Sequence, residues 1–264
     1  MVAASKMRRA QEADKAAVSY TETASELLSY FNAQGITKKH PLFQVRDVNR
    51  RLLIVIASDR GLAGAYNSNI FKRYVVELRQ DRKDGDTTPT IALGRKTAQF
   101  VSRLKDAELV SVYENVADSL DGGEMEAILE TAQEQFVSGE VDAVDVVFTQ
   151  FISSVTQQVV TRRIFPAGFD EVAVTDDVSE AVYEPSPSKV LDAVAQRLVQ
   201  AQFYQALLDA KASEHSMRML AMKNASDNAE DLVDDLTLAM NKARQSAITQ
   251  ELAEISGGVE AMNE

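Results

Sequence analysis

The chain has 264 residues, no cysteine and two histidines, and its 28 Lys and Arg against 40 Asp and Glu give a formal net charge of −12. This composition excludes a disulfide framework and thiolate metal sites, and it argues against histidine-rich metal centres and histidine-based triads. The acidic balance argues against nucleic acid as the main partner, and the short apolar runs predict no membrane-spanning segment. We therefore expect a soluble, cytoplasmic and helix-rich protein.

The positions of the helix breakers divide the chain into three parts. Nine of the 11 glycines and all 5 prolines lie between Gly35 and Pro187. The residues before Gly35 contain eight alanines and no breaker, and those after Pro187 contain only a terminal glycine pair. This distribution predicts an N-terminal helix over 1–34, an α/β domain over 35–187 and a C-terminal helix over 188–264.

The middle part alternates strand and helix patterns. Apolar, often β-branched runs predict strands over 52–57, 90–93, 109–113, 144–151 and 157–165. Helical spacing of the apolar residues predicts helices over 69–82, 95–105 and 124–137. Strands that alternate with helices predict a Rossmann-like α/β domain, whose mainly parallel sheet carries helices on both faces.

A glycine-containing turn, SDRGLAGA at residues 58–65, follows the first predicted strand. A dinucleotide-binding fingerprint would lie at this place, but the spacing GLAGA departs from GxGxxG. We favour a tight strand-to-helix turn, with nucleotide binding as the alternative. Asp59 and Arg60 lie where α/β domains often place chemistry, although an internal ion pair or a role in fixing the turn is the more common use of such residues.

The C-terminal part predicts one continuous helix. Pro185–Ser188 is typical of a helix start with Ser188 as N-cap, and Gly257-Gly258 is typical of a helix end. At 1.5 Å per residue the helix would be about 100 Å long, which exceeds the width of a compact domain. Alternating steps of three and four residues form a heptad seam of Leu191, Val194, Leu198, Ala201, Gln205, Leu208 and Ala212, and then of Ala225, Ala229, Leu232, Leu236, Ala239 and Ala243.

Two further features of the helices bear on partners. The N-terminal helix would span only about 50 Å, so we expect a partner chain to cover the far half of the C-terminal helix. Near the far end lie hydrogen-bonding side chains that form either a solvated face or a grip on a partner's loop: Arg244, Gln245, Thr249 and Glu251. His215 stands alone in sequence, and we interpret it as structural.

Four segments closely resemble the gamma subunits of F-type ATP synthases. They are MVAASKMRRA at 1–10, SDRGLAG at 58–64, AMKNASDNA at 221–229 and NKARQSAITQE at 241–251. The resemblance follows the whole chain in the same order. It implies an antiparallel coiled coil of the N- and C-terminal helices, with the α/β domain inserted between them at its base.

The resemblance also implies a function and a set of partners. In that family the coiled coil is the central shaft within a ring of three alpha and three beta subunits, and its base lies near the epsilon subunit and the membrane c-ring. Rotation of the shaft drives the beta sites through their catalytic states, so we expect neither a catalytic residue nor a cofactor in this chain. The expected location is peripheral, on the cytoplasmic face of a bacterial plasma membrane, with membrane contact only through Fo subunits.

Matching motifs imply roles for particular residues. Arg244 and Gln245 correspond to a pair that contacts a loop of the beta subunit, and Thr249 and Glu251 to polar positions where the shaft helices and beta meet. The segment of Tyr183 and Glu184 resembles the foot of the family, where Glu184 would face the c-ring or epsilon.

The resemblance is incomplete at the N-terminus. Family members carry Lys- and Arg-rich residues before the MVAAS motif, whereas Met1 lies inside this motif here. Either a segment before Met1 is missing from this sequence, or half of the C-terminal helix has no N-terminal helix to pair with. The rival interpretations are a nucleotide- or metabolite-binding α/β domain with a dimerising coiled coil, and a passive tethering coiled coil.

Overall fold

Five strands form one mixed sheet in the computed structural model, which describes residues 24–81, 88–105, 107–115, 122–169, 172–175, 178 and 181–262. The strands are β1 (Arg51–Ile56), β2 (Thr88–Leu93), β3 (Ala107–Tyr113), β4 (Ala143–Phe151) and β5 (Gln157–Phe165). Their order is β3-β2-β1-β4-β5, and β5 alone among them runs antiparallel to its neighbour. The predicted mainly parallel sheet is confirmed.

The described helices are α1 (24–33), α2 (Tyr66–Asp81), α3 (Arg95–Val101), α4 (Gly122–Ser138) and α5 (Pro187–Met262), with short 3-10 turns at Thr37–Lys39 and Pro41–Phe43. The prediction for α3 was too long, because bonds from Arg103 N to Phe100 O and from Leu104 N to Val101 O replace the α-helical pattern. The predictions for residues 1–23 and for the chain between α2 and β2 lie outside the described residues.

Both faces of the sheet are covered by helices, as predicted. On one face α4 and α5 pack against alternate residues of β1 and β4, including Ile54, Val146 and Phe148. On the other face α2 and α3 pack against the intervening residues, including Leu53 and Val55. The five residues Leu52–Ile56 are therefore buried whichever way they point, which is why this strand is a continuous apolar run.

An ion cluster lies at the amino end of β1. The Arg51 guanidinium donates to Glu77 at 2.6 Å, to Asp81 at 2.8 Å and to Asp145 at 2.9 Å. Arg163 also pairs with Asp145, and Arg73 pairs with Glu77 at 2.7 Å. The three arginines of this cluster thus face its three carboxylates, so the charges of the named residues balance.

The pKa values in this cluster move in opposite directions. Burial raises the pKa of the Glu77 carboxyl, but hydrogen bonds from Thr161 and Arg51 lower it by more, so the net pKa lies below 4.5. Burial dominates at Asp81 and raises its pKa against the opposing effect of Arg51. Burial lowers the pKa of Arg51, but the hydrogen bonds that it donates to the three carboxylates raise this pKa by more. Arg51 is therefore a permanent cation that holds the cluster together.

The start of α5 differs from the prediction. The helix begins at Pro187, and the Ser186 hydroxyl accepts a hydrogen bond from Lys189 N at 3.3 Å. The prediction of Ser188 as N-cap is wrong, because proline suits the first helical position and leaves the residue before it as the cap.

The predicted end of α5 is also wrong. The helix continues through Gly257 and Gly258 to Met262. Each glycine costs about 1 kcal/mol of helix propensity relative to alanine, but it ends a helix only where the chain turns away.

The first part of α5 carries a second apolar face that the heptad seam did not reveal. The seam residues Leu191 and Leu198 are buried with Ala24, Leu28 and Phe31 of α1. A different set of residues faces the sheet and joins its core: Ala195, Val199, Phe203, Ala206, Leu207 and Ala210. This part of α5 is therefore held between α1 and the sheet.

Contacts within the chain divide it into two compact units, the first ending at Met219 and the second beginning at Leu220. The first unit contains the sheet, α1 to α4 and the buried part of α5. In the second unit, residues 222–255 of α5 are exposed throughout. The domain boundaries predicted from the glycines and prolines, 1–34, 35–187 and 188–264, follow secondary structure and stay predictions.

Candidate partner-binding sites

The turn after β1 is fixed by its own side chains. One Asp59 carboxylate oxygen accepts hydrogen bonds from Arg95 N at 3.0 Å and from Asn115 N at 2.9 Å. It thereby ties the start of α3 and the end of β3 to the turn. Leu62 and Gly64 adopt positive φ angles of 60° and 55°, which permit the tight reversal into α2. The prediction of a turn-fixing role for Asp59 is confirmed.

The crevice at the carboxyl ends of β1 and β4 is the place where an open α/β sheet would bind a nucleotide, because the strand order reverses there. In this structure α5 occupies it. The Tyr66 hydroxyl, at the start of α2, donates to the backbone carbonyl of Ala210 at 3.0 Å. Burial, and then the nearby Glu214 carboxylate, raise the pKa of Tyr66 well above 10.0, so its hydroxyl stays protonated as a donor.

The same stretch of α5 is joined to the β4–β5 hairpin. The Ser213 hydroxyl donates to Thr149 O at 3.1 Å, and the Ser216 hydroxyl donates to Ser154 O at 2.7 Å. His215 lies between these serines in sequence and is buried, 3.5 Å from the Arg218 guanidinium. Its position in a packed junction agrees with the structural role that we predicted.

The structure separates the two predicted foot residues. The Tyr183 ring lies 5.1 Å from the Phe31 ring and 5.7 Å from the Tyr30 ring, and its hydroxyl donates to Val178 O. Burial, with a smaller contribution from Tyr30, raises the pKa of Tyr183. Glu184 is exposed. Tyr183 therefore packs against α1, and Glu184 is the one of these two residues whose side chain is exposed.

The four predicted contact residues on the far part of α5 are exposed and lie on two sides of the helix. Arg244 and Glu251 are one heptad apart, so only about 20° separates their directions. Gln245 and Thr249 are one turn apart on another side, and the Thr249 hydroxyl donates to Gln245 O at 2.8 Å. Gln245 and Thr249 therefore share one side of the helix, and Arg244 and Glu251 share another. A partner loop would have to wrap around the helix to contact all four residues.

Comparison with known proteins decides the family. A profile of the ATP synthase family matches residues 1–262. The ATP synthase gamma chain of Acidithiobacillus ferrooxidans is 39% identical over 264 residues, which cover 99% of this chain and 91% of the relative. That of Ralstonia nicotianae is 37% identical over 267 residues, with the same coverage. The chain belongs to the ATP synthase gamma-chain family. The resemblance in the sequence is confirmed.

Solved structures agree with the gamma-chain fold. A chain of the Euglena gracilis mitochondrial ATP synthase, solved as an OSCP/F1/c-ring assembly, matches with a TM-score of 0.60 at 17% identity. The match covers 98% of this chain and 95% of that chain. A chain from the central stalk and c-ring of the Tetrahymena thermophila enzyme matches with a TM-score of 0.54 at 21% identity, covering 86% and 100%.

The gamma-chain fold has a groove that was not predicted from the sequence. It lies between α4 and α5, lined by Glu126, Glu130 and Glu134 on one side and by Gln196 and Gln200 on the other. The spacing of four residues between the glutamates places them on one face of α4 and could have revealed the acidic wall. The opposing wall could not be predicted, because it depends on how α5 crosses α4.

Within the described residues, His, Asp and Glu form no group of three or more that could hold a metal ion. Among the helices that the structure describes, none combines the length and apolarity needed to cross a bilayer.

Proposed function

We propose that this chain is the central rotor shaft of a proton-translocating F1Fo ATP synthase. It couples rotation of the membrane c-ring to the conformational cycling of the beta catalytic sites in ATP synthesis and hydrolysis. The observation that carries the proposal is the match to the gamma-chain family over the whole described length, together with one continuous 76-residue helix. Relatives of this fold come from the rotor and central stalk of ATP synthases.

The physical basis of the proposal is mechanical. A helix of 76 residues is about 110 Å long, which is long enough to carry torque from a base domain into a surrounding ring. Its far part mixes exposed apolar side chains, among them Leu232, Leu236 and Leu252, with alanines and many polar and charged side chains. Such a surface would slide past successive partner surfaces, since a large apolar interface would hold one rotational state too tightly.

We propose that the N- and C-terminal helices form an antiparallel coiled coil. Ala24, Leu28 and Phe31 of α1 are spaced by four and three residues, and they pack with Leu191 and Leu198, which are seven residues apart in α5. This is the spacing of a heptad seam. Phe31 near the end of α1 also contacts Tyr183 just before α5, as an antiparallel pair requires.

The proposed partners follow from the exposed sites. Within the ring of alpha and beta subunits, Arg244, Gln245, Thr249 and Glu251 contact beta, and Glu184 faces the epsilon subunit or the c-ring. The chain contributes no catalytic residue of its own, and the chemistry takes place on beta. The complex lies on the cytoplasmic face of the membrane, where this subunit is peripheral and reaches the bilayer only through Fo subunits.

Reconstitution tests the proposal. The chain is co-expressed with the other ATP synthase subunits of its own source, and the complex is isolated from membranes through a tag on beta. We expect one copy of the chain for each ring of three alpha and three beta subunits, with ATP-driven proton pumping that requires it. A chain that stays outside the ring and sediments as a homodimer would instead support a tethering coiled coil.

A further inference from the structure

One stretch of α5 is buried on every side yet carries several polar side chains. Residues 206–216 are buried apart from a half-buried Lys211. Within this stretch Ser213 and Ser216 are fully buried and Asp209 nearly so. Steps of four and three residues place these three on one side of the helix, where a core helix would normally carry leucine or alanine. We call this set the polar stripe.

The polar stripe bonds to the backbone of the β4–β5 hairpin. The two serine hydroxyls donate to the carbonyls of Thr149 and Ser154, and the Gln157 side-chain amide donates to the Ser216 hydroxyl at 3.3 Å. Asp209 accepts from Phe151 N at 3.4 Å. All of these partners belong to two adjacent strands and their turn, so the hairpin holds α5 along two helical turns.

A further bond reaches the same stretch from another element. Tyr66, at the start of α2, donates to the carbonyl of Ala210, which is next to Asp209. The helix is therefore bonded both from α2 and from the hairpin. We call these contacts together the polar clamp.

Hydrogen bonds give the clamp a property that apolar packing lacks. Burial of apolar surface is non-directional, so apolar packing by itself sets the rotation of a helix about its axis less sharply than hydrogen bonds do. Hydrogen bonds require short distances and near-linear geometry, and a buried hydroxyl that loses its partner costs about 1–3 kcal/mol. Rolling of α5 would break several of these bonds at once. The clamp therefore fixes the rotation of α5 about its own axis relative to the sheet.

We propose that the polar clamp is the element that transmits torque between the α/β domain and α5. The inference rests on the proposed rotor function and names the residues that position the shaft. In that role Ser213, Ser216 and Tyr66 are positioning residues. Beyond the clamp α5 continues as one helix to Met262, so a rotation imposed on the α/β domain passes directly into the helix backbone.

The test uses the assembled complex with the double substitution Ser213→Ala and Ser216→Ala. The torsional stiffness of the stalk is measured by single-molecule rotation, and proton pumping per ATP hydrolysed is measured in vesicles against a rising proton gradient. We expect stiffness to fall to about half or less, because the double substitution removes three of the five hydrogen bonds named for the clamp, including the one that Ser216 accepts from Gln157. We also expect proton pumping to fail at a lower gradient, with ATP hydrolysis at zero gradient unchanged.

Matched variants separate the clamp from general stability. Ser102→Ala makes the same chemical change at an exposed position and should leave stiffness unchanged. Tyr66→Phe removes only the hydroxyl on the α2 side and should lower stiffness less than the double substitution. Because the chain has no cysteine, Ser154→Cys with Ser216→Cys gives a single cross-link between hairpin and helix. Cross-linking should preserve pumping against a gradient.

Two results would overturn the inference: wild-type stiffness in a folded double variant, or arrest of rotation by the cross-link, which would mean that the contact must open during turnover. If the double variant fails to assemble, the cross-linked protein and Tyr66→Phe still decide the question. A wild-type complex that does not pump protons would instead overturn the proposed rotor function itself.

Discussion

Gly94 lies so close to Ala57 that a β-carbon at position 94 would stand 2.2 Å from the Ala57 carbonyl oxygen. Gly94 also has a φ of +91°, a region that other residues rarely adopt. At the same place the Ala57 backbone N–H donates to Leu93 O at 3.0 Å, and this bond joins the ends of β1 and β2. The position of the Gly94 backbone therefore leaves no room for any side chain.

We predict that Gly94→Ala destabilises the protein by about 3 kcal/mol or more, because strain in the backbone adds to a steric overlap. Urea unfolding followed by circular dichroism measures the loss. Gly61→Ala is the control, since a β-carbon there meets nothing within 4 Å and no positive φ is involved. Equal effects of the two substitutions would contradict this account of Gly94.

Arg51 should be the most sensitive member of the ion cluster. Replacing it with methionine keeps much of the side-chain volume but leaves Glu77, Asp81 and Asp145 without their shared cation. We predict a loss of about 3–5 kcal/mol at neutral pH, typical of breaking a buried ion pair from one side. Arg50→Met removes a half-exposed pair with Glu108 and should cost at most about 1 kcal/mol. Chemical denaturation of both variants checks the contrast.

The pH dependence of stability should carry opposite contributions from two neighbouring carboxyls. The pKa of Glu77 is lowered on folding, so the native state binds fewer protons there than the unfolded state. Its stabilising contribution is present above pH 4.5 and is lost as the pH falls through the lowered pKa. The pKa of Asp81 is raised, so its contribution changes in the other direction and improves as the pH falls through the raised value.

Glu77→Gln and Asp81→Asn test these signs. The loss in free energy of unfolding caused by Glu77→Gln should shrink as the pH falls. The free energy of unfolding of Asp81→Asn should instead decrease relative to that of wild type as the pH falls, because protonation relieves the cost of the partly buried Asp81 carboxylate in wild type. Urea titrations between neutral and acidic pH give both slopes. Parallel curves for the two variants would show that the two carboxyls do not respond oppositely.

The strand and helix order was predictable because it depends on local patterns. The strands β1 and β4 are largely apolar runs, β3 and β5 carry β-branched residues among polar ones, and each long helix shows apolar residues at helical spacing. The ion cluster was not predictable, because Arg51 lies 26 residues from Glu77 and 94 residues from Asp145 in the chain. No local pattern indicates which distant carboxylates will meet one arginine.

The polar clamp was not predictable from the sequence for a different reason. Asp209, Ser213 and Ser216 are polar, so by themselves they favour a solvated face over a buried one. Their burial follows from the way α5 crosses the ends of the strands, which a heptad seam does not determine. In the same way, exposure of Arg244 and Gln245 could be anticipated from the sequence, whereas their division between two sides of the helix needed the helix geometry.

The start of α5 offers a direct comparison between the serine that the sequence favoured and the serine that the structure uses. Ser186→Ala removes the acceptor for Lys189 N and should destabilise the protein by about 1 kcal/mol. Ser188→Ala lies within the exposed first turn and should change stability by less than about 0.5 kcal/mol. Thermal unfolding of the two variants distinguishes them, and the reverse order would restore Ser188 as the cap.

The proposed grip of α5 on the beta subunit can be tested without disturbing the fold. Arg244→Ala with Gln245→Ala removes a cation and an amide from an exposed part of the helix, so the unfolding of the purified chain should be unchanged.

In the assembled complex we expect this double substitution to impair ATP synthesis driven by a proton gradient, because it would remove the proposed hydrogen bonds between the shaft and a beta loop. Glu230→Ala with Asp231→Ala is the matched control, since these residues are also exposed on the same helix. Synthesis rates in inverted membrane vesicles compare the two pairs. If both variants synthesise ATP at the wild-type rate, Arg244 and Gln245 do not form the coupling contact, and Thr249 and Glu251 are the remaining candidates for it.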